Sequence, residues 1–137
     1  MTALTWTDAL AVGHAQIDQT HREFVELLGE LDEALAAPAG PVAECLAAFA
    51  EHTQAHFAQE EAWMLELGYE ADTCHFFQHK QVLQVVQAVQ QRWVEQADRA
   101  IVALLVKELG PWFEAHAANL DAPLAEALQL KAQAAPA

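Results

Sequence analysis

The sequence predicts an all-α protein, an antiparallel up-down-up-down four-helix bundle with an extended N-terminal arm and a short C-terminal helix. Only five Gly and five Pro occur among 137 residues, and long stretches are rich in Ala, Leu, Glu and Gln, which favour helices. The few β-branched residues do not alternate with polar ones, so no strand pattern is present. With 54% hydrophobic residues, the chain can bury the core of one domain without disulfide bonds.

We expect that single domain to cover residues 1–137. The arm should take residues 1–16, the bundle residues 17–121 and a C-terminal tail residues 122–137. No internal change in composition suggests a second domain.

The arm and the first helix precede the first break in the pattern. The arm carries Trp6 and Leu10 without a helical period, so we expect it to pack in an extended form along the body. From about Asp18, apolar positions recur every three or four residues, which is the spacing of one buried helix face. These positions are Ile17, His21, Phe24, Leu28, Leu31 and Leu35. His21 is therefore predicted to face the core, either bonded to backbone or as a metal ligand.

The second helix carries a histidine and a glutamate on its inward face. Residues 38–41 (Pro-Ala-Gly-Pro) should end the first helix, and the second should run to about Leu67, ahead of a glycine C-cap. Its inward stripe consists of Val42, Leu46, Phe49, Thr53, His56, Glu60 and Met64. His56 and Glu60 thus lie about one turn apart on one face. His52 lies one turn earlier and is a further candidate ligand, but we expect it at a different level of the bundle.

The third helix should begin near Ala71 or Asp72, and it carries two histidines. His75 and His79 are four residues apart, so they project from one face about one turn apart. This is metal-ligand spacing, and it repeats the spacing of the histidine and glutamate in the second helix. A buried histidine needs a partner for each ring nitrogen, so two such pairs among large apolar side chains favour a metal site.

The fourth helix should follow a polar turn at residues 95–98, with Asp98 as its N-cap. Its apolar stripe ends in another inward histidine, His116. Gly110 and Pro111 interrupt this helix shortly before that histidine, and we expect the proline to kink it.

Asp121 lies five positions beyond His116, which is about 140° away around a regular α-helix. Asn119 and Pro123 mark a helix end, so we expect the chain to bend there and return the carboxylate to the bundle. The tail should form one short helix at residues 124–131.

The charge balance excludes some partners. Six basic residues stand against 20 acidic ones, a formal net charge of −14, which argues against nucleic acid and anionic membranes. No stretch of about 18 apolar residues occurs and no apolar run follows a basic N-terminal region, so we expect a cytoplasmic protein without membrane insertion. Cys45 and Cys74 are isolated, so we expect two small buried side chains and neither a disulfide nor metal ligands.

The inward polar residues form one predicted constellation. It comprises His21, His56, Glu60, His75, His79, His116 and Asp121. Burying each of these groups unpaired would cost on the order of several kcal/mol. Seven ligands exceed what one tetrahedral zinc takes, whereas two first-row metals bridged by two carboxylates can use five imidazoles and keep one coordination position free.

These residues resemble the hemerythrin family, specifically its single-domain bacterial members. The resemblance extends from Trp6 to Asp121. The motifs that carry it are Ile17-Asp18-x-x-His21, His56-Phe57-x-x-Glu60-Glu61, Gly68-Tyr69, His75-x3-His79 and Trp112-Phe113-x-x-His116-x4-Asp121.

The resemblance implies two iron ions (Fe2+/Fe3+) joined by an oxo or hydroxo bridge, and reversible dioxygen binding without catalysis. The iron with two histidines would have the open site. The implied ligands are His75, His79 and His116 for one iron, His21 and His56 for the other, and Glu60 and Asp121 for both.

The resemblance also implies an apolar dioxygen pocket and a restricted set of partners. The pocket would be lined by Phe24, Phe57, Trp112 and Phe113, although the family commonly has aliphatic side chains at the positions of Phe24 and Phe113. Dioxygen is the expected partner, an oxygen-consuming enzyme is a candidate recipient, and we expect a monomer. The oxygen would be carried, stored, delivered or sensed.

Two other functions are consistent with a helical bundle of this kind. A di-iron oxidase or iron-handling protein would share both the bundle and the metals, but ferritin-like proteins use Glu-x-x-His motifs, and none occurs in this sequence. A helical interaction module with incidental histidines is the third hypothesis, and metal analysis separates it from the other two.

Overall fold

A computed structural model describes residues 4–134, and it confirms the all-α prediction. Four long helices are followed by a shorter one, with no strand in the described range. Their bounds are α1 (Ala15–Ala36), α2 (Val42–Glu66), α3 (Cys74–Gln96), α4 (Arg99–His116) and α5 (Ala122–Ala134). The predicted start of the arm, residues 1–3, and the end of the tail, residues 135–137, lie outside this range.

Neighbouring helices run antiparallel, as contacts between facing side chains show. Between α1 and α2, the ring of His21 lies 5.0 Å from that of His56, whereas Phe24 lies 5.1 Å from Phe49. Residue numbers therefore increase along α1 in the direction in which they decrease along α2. The same reversed pairing relates α2 to α3 and α3 to α4. Helix α4 also packs against α1, which closes the four-helix ring.

This topology places the predicted ligands at one end of the bundle. The first half of α1, the last part of α2, the first turns of α3 and the end of α4 meet there. The opposite half is filled by buried aliphatic side chains. These include Leu28, Leu31, Leu46, Val86, Val89, Val102 and Leu105.

Two predicted helix ends are confirmed. After α2, Gly68 adopts a φ of 89°, and the backbone N–H of Tyr69 donates to the carbonyl of Met64 at 2.9 Å. This is the Schellman arrangement that a glycine after a helix permits. At the start of α4, the Asp98 side chain caps the helix by accepting the N–H of Ile101 at 3.1 Å. Helix α3 begins at Cys74, two or three residues later than expected.

Arg99 joins the end of α1 to the start of α4. Its Nη2 donates to the carbonyls of Ala34, Leu35 and Ala37 at 3.3, 3.0 and 2.9 Å. The last carbonyls of a helix have no partner within the helix, so this single guanidinium both caps α1 and fixes its position against α4.

The arm is less extended than predicted. Residues 8–10 form a turn of 3₁₀ helix, and α1 already begins at Ala15. The arm does pack along the body, since Leu4, Trp6 and Leu10 contact the core. It is held at its end by Asp18, whose carboxylate accepts the backbone N–H groups of residues 12 and 13 at 2.7 and 3.2 Å.

The predicted helix end near Asp121 is wrong. The chain continues from α4 through a π-helical turn, Ala117–Asp121, directly into α5. The N–H of Ala122 donates to the carbonyl of Ala117, five residues earlier. In such a turn, residues five apart lie about one turn apart, so Asp121 falls below His116 on the inward face. The terminal helix is correspondingly longer than the predicted 124–131.

Two smaller expectations also need correction. Pro111 does not interrupt α4, because it lies inside a continuous helix. Cys74 is exposed and Cys45 is half-buried, so the prediction of two buried cysteines fails; both are free thiols, as expected. Within residues 4–134, no helix is both long and apolar enough to cross a membrane.

Candidate metal centre

All seven predicted ligand side chains converge inside the bundle. None is more than 5% exposed. Helix α1 contributes one, α2 and α3 two each, α4 one, and the π-helical turn the last. Side chains from five separate segments therefore meet in one buried volume.

The donor atoms form two overlapping groups, and within each group all of them lie within 4.8 Å of one another. One group has three histidines and the other has two, and both share the same two carboxylates. We call them the three-histidine half and the two-histidine half. The first consists of Glu60, His75, His79, His116 and Asp121, and the second of His21, His56, Glu60 and Asp121.

Glu60 lies between the two halves. Its Oε2 lies 2.6 Å from Nε2 of His56 and 3.6 Å from Nε2 of His21. Its Oε1 lies 3.2 Å from Nε2 of His75 and 3.1 Å from Nε2 of His79. Each oxygen thus faces one half, which is the arrangement of a bridging carboxylate.

Asp121 is oriented in the same way from the opposite side. Its Oδ2 lies 3.0 Å from Nε2 of His21, in the two-histidine half. Its Oδ1 lies 3.0 Å from Nε2 of His75 and 3.2 Å from Nε2 of His116, in the three-histidine half. The π-helical turn produces this position, because a regular α-helix would direct the side chain away from His116.

Several of these buried atoms face one another at 3.0 to 3.2 Å without the geometry of a hydrogen bond. The atoms left without a hydrogen bond are Nε2 of His21, His79 and His116 and both carboxylate oxygens of Asp121. A buried polar atom without a partner costs about 1 to 3 kcal/mol. The imidazole nitrogens and carboxylate oxygens all point into the same volume, so two metal ions there would satisfy them together. The donor set fits a pair of first-row metals.

Without metal, protons on histidines balance the buried carboxylates. Burial by itself lowers the pKa of His21, but the adjacent carboxylates of Asp121 and Glu60 outweigh it and raise the pKa to about 9. The same balance raises the pKa of His75 to about 9. Burial raises the carboxylate pKa values, but the surrounding histidines hold the pKa of both Glu60 and Asp121 below its usual range. A metal ion must displace these protons, so its binding weakens as the pH falls.

Two further side chains orient histidines of the three-histidine half. Nδ1 of His79 lies 2.9 Å from Oε2 of Glu61, and Nδ1 of His116 lies 2.8 Å from Oε1 of Gln78. An N–H donated at Nδ1 leaves Nε2 free to face the centre, as in many metal sites. The sequence interpretation assigned neither Glu61 nor Gln78 a role. Glu61 did stand in one of the motifs that carry the family resemblance, and Gln78 directly precedes the predicted ligand His79.

The four aromatic residues predicted for the pocket divide between the two halves. Phe113 stacks on Phe24 with ring centroids 4.6 Å apart, and its ring meets that of His21 at 4.9 Å. These two rings border the two-histidine half.

Phe57 and Trp112 lie mainly against the other half. Phe57 stacks on His79 with centroids 3.9 Å apart, and Trp112 stacks on His116 at 4.5 Å. Phe57 also contacts the neighbouring ring of His56, at 5.4 Å. Stacking fixes the planes of these imidazole rings.

His52 lies outside both groups of donor atoms. Its Nε2 is 3.1 Å from Oε1 of Glu23, a residue of α1. The centroid of its ring is 6.1 Å from that of His56.

Comparison with known proteins agrees with this geometry. The model of the hemerythrin HHE cation binding domain matches residues 12–128. A bacteriohemerythrin from Ralstonia nicotianae is 35% identical over 121 residues, which cover 88% of this chain and 85% of that protein. Another, from Stenotrophomonas maltophilia, is 32% identical over 133 residues, covering 96% and 84%. A third, from Aquifex aeolicus, is 25% identical over 119 residues, covering 85% and 91%. The chain therefore belongs to the hemerythrin family.

Proposed function

We propose that this protein binds dioxygen reversibly at a non-heme di-iron centre, and that it carries, stores, delivers or senses oxygen without catalysing a reaction. The observation that carries the proposal is the division of five histidines into three and two around two shared carboxylates. A bound iron pair would supply two electrons for reversible transfer to dioxygen and one open coordination position.

The residues that would hold the irons follow from the two halves. His75, His79 and His116 would hold one iron, His21 and His56 the other, and the two carboxylates would contact both. The two-histidine half offers one imidazole fewer. The open position would therefore lie on that side.

The protein's own contribution to reversibility is the exclusion of water from this open side. Phe24 and Phe113 are 0% and 1% exposed, and their stacked rings form an apolar wall beside His21. Water and anions in such a site favour irreversible oxidation, and an apolar wall keeps them out. These two rings are the part of the predicted pocket that the geometry supports best. On the other half, Phe57 and Trp112 would hold the imidazole planes.

Metal analysis and optical spectroscopy test the proposal. We expect about two irons per chain, because five imidazoles and two shared carboxylates exceed what one ion takes. The reduced protein should gain a visible charge-transfer band in air and lose it when dioxygen is removed. One iron per chain, or zinc alone after expression with ample iron, would contradict the di-iron centre. Prompt irreversible oxidation without that band would favour an oxidase.

A further inference from the structure

A cleft of about 210 Å³ lies between α1 and α2, beside the metal centre. His56 and Glu60 are among the residues that line it, although they are only 5% and 1% exposed. Three larger clefts on the described part of the molecule, of about 930, 590 and 400 Å³, contain none of the seven candidate ligands. Of these four clefts, this one alone is lined by candidate ligands of the two-histidine half.

Glu23 and His52 form a polar pair on the wall of this cleft. Nε2 of His52 lies 3.1 Å from Oε1 of Glu23, and the two side chains are 18% and 45% exposed. Nδ1 of His52 is buried and has no hydrogen-bond partner. The pair is thus accessible from solvent and lies one helical turn from His56.

We propose that Glu23 and His52 form an entry site for ferrous iron, from which the ion passes to His56 and Glu60. The proposal rests on the di-iron function proposed above. It assigns these two residues a role in loading the centre and none in holding the mature metals.

The geometry of the pair suits such a site. Two ligands at right angles, each about 2.1 Å from one ion, lie about 3 Å apart, which is close to the observed separation of 3.1 Å. A neutral imidazole and a carboxylate are both suitable ligands for iron. Partial exposure lets water complete the coordination shell, so the ion exchanges its waters in steps instead of losing all of them before it reaches the buried ligands.

The test measures the rates at which iron enters and leaves. Metal-free protein is mixed with ferrous ammonium sulfate under anaerobic conditions, and uptake is followed in Glu23→Gln and His52→Gln. Removal of one charged or coordinating partner should slow uptake about tenfold, while the final iron content equals that of the unchanged protein. The double variant should be little slower than the slower single variant, because both residues act at one step.

Release to a chelator separates an entry site from a stabilising contact. If the pair binds the ion transiently during uptake, release from the variants should slow by about the same factor as uptake, since the ion leaves by the same route. If the two residues only support His56, the variants should release iron faster than the unchanged protein, and the proposal would be wrong.

Glu26→Gln is the matched control. Glu26 is an exposed carboxylate on the same helix, and the change removes the same charge. Uptake by this variant should remain close to that of the unchanged protein. Equal slowing in Glu26→Gln, or unchanged uptake in both cleft variants, would overturn the entry site. An unchanged protein that takes up fewer than two irons would instead contradict the di-iron function itself.

Discussion

Replacing Phe113 with Ala removes a ring that separates the two-histidine half from the apolar core. The side chain is 1% exposed, stacks on Phe24 at 4.6 Å and meets the ring of His21 at 4.9 Å. Loss of a buried Phe costs about 3 to 5 kcal/mol of unfolding free energy, a large share of the about 5 to 15 kcal/mol typical of a domain. Iron should stay bound because no ligand is removed.

The main expected effect is on the lifetime of the oxygenated protein. The vacated space adjoins histidine and carboxylate atoms, so water or a small anion there would find polar partners. We therefore expect faster autoxidation in air and tighter azide binding, with dioxygen binding retained. Both are followed by the loss or change of the visible band, and chemical denaturation measures the change in unfolding free energy.

Phe49→Ala is a matched control for the loss of packing. Phe49 is 0% exposed and contacts the same Phe24 ring at 5.1 Å, but it lies two helical turns before His56 on α2. It should destabilise the fold to a similar extent without accelerating autoxidation. Phe113→Leu keeps most of the volume and an apolar wall, so it should cost less than about 1.5 kcal/mol and autoxidise at close to the unchanged rate. An unchanged autoxidation rate in Phe113→Ala with full iron content, or equal acceleration in Phe49→Ala, would refute the role of the ring.

Three further predictions concern the site and the fold. Glu61→Ala removes the partner of Nδ1 of His79, so iron affinity, measured by chelator competition, should fall about 10- to 100-fold; unchanged affinity would contradict an orienting role. The pKa values of His21 and His75 are raised from 6.5 to about 9 in the metal-free fold, so their contribution to stability is fully present below about pH 6.5 and lost as the pH rises through 9. The Tm of the metal-free protein should fall across that range, and a flat or rising Tm would show that these histidines are not protonated in the fold. Asp98→Ala removes the N-cap of α4 and should lower the unfolding free energy by about 1 kcal/mol, with iron content unchanged; denaturation at constant iron content checks it.

Much of the fold and the grouping of the candidate ligands could be predicted because they depend on local spacing. A four-residue interval places two side chains on one helical face whatever the surroundings. The pairs His56 with Glu60 and His75 with His79 can be recognised in the sequence in this way. The glycine after α2 and the N-cap Asp98 could be predicted for the same reason, since each satisfies backbone groups of its own helix end.

The position of the Asp121 side chain could not be predicted from local sequence rules. Its neighbours Asn119 and Pro123 indicate a helix end, and the regular α-helical angle directs its side chain away from His116. The chain instead forms a π-helical turn. Nothing in the local sequence distinguishes this turn from a bend, because its benefit is the contact of Asp121 with histidines on three other helices.

The sequence by itself determined the helices, the inward positions of the seven candidate ligands and the resemblance to a family. Tertiary structure alone decided which carboxylate oxygen faces which half, that Glu61 and Gln78 support the imidazoles, and that Glu23 and His52 line a cleft beside the centre. The physical reason is that helix formation and amphipathic faces depend on neighbours within about four residues. The other features depend on the register between packed helices, and that register is set by the whole core.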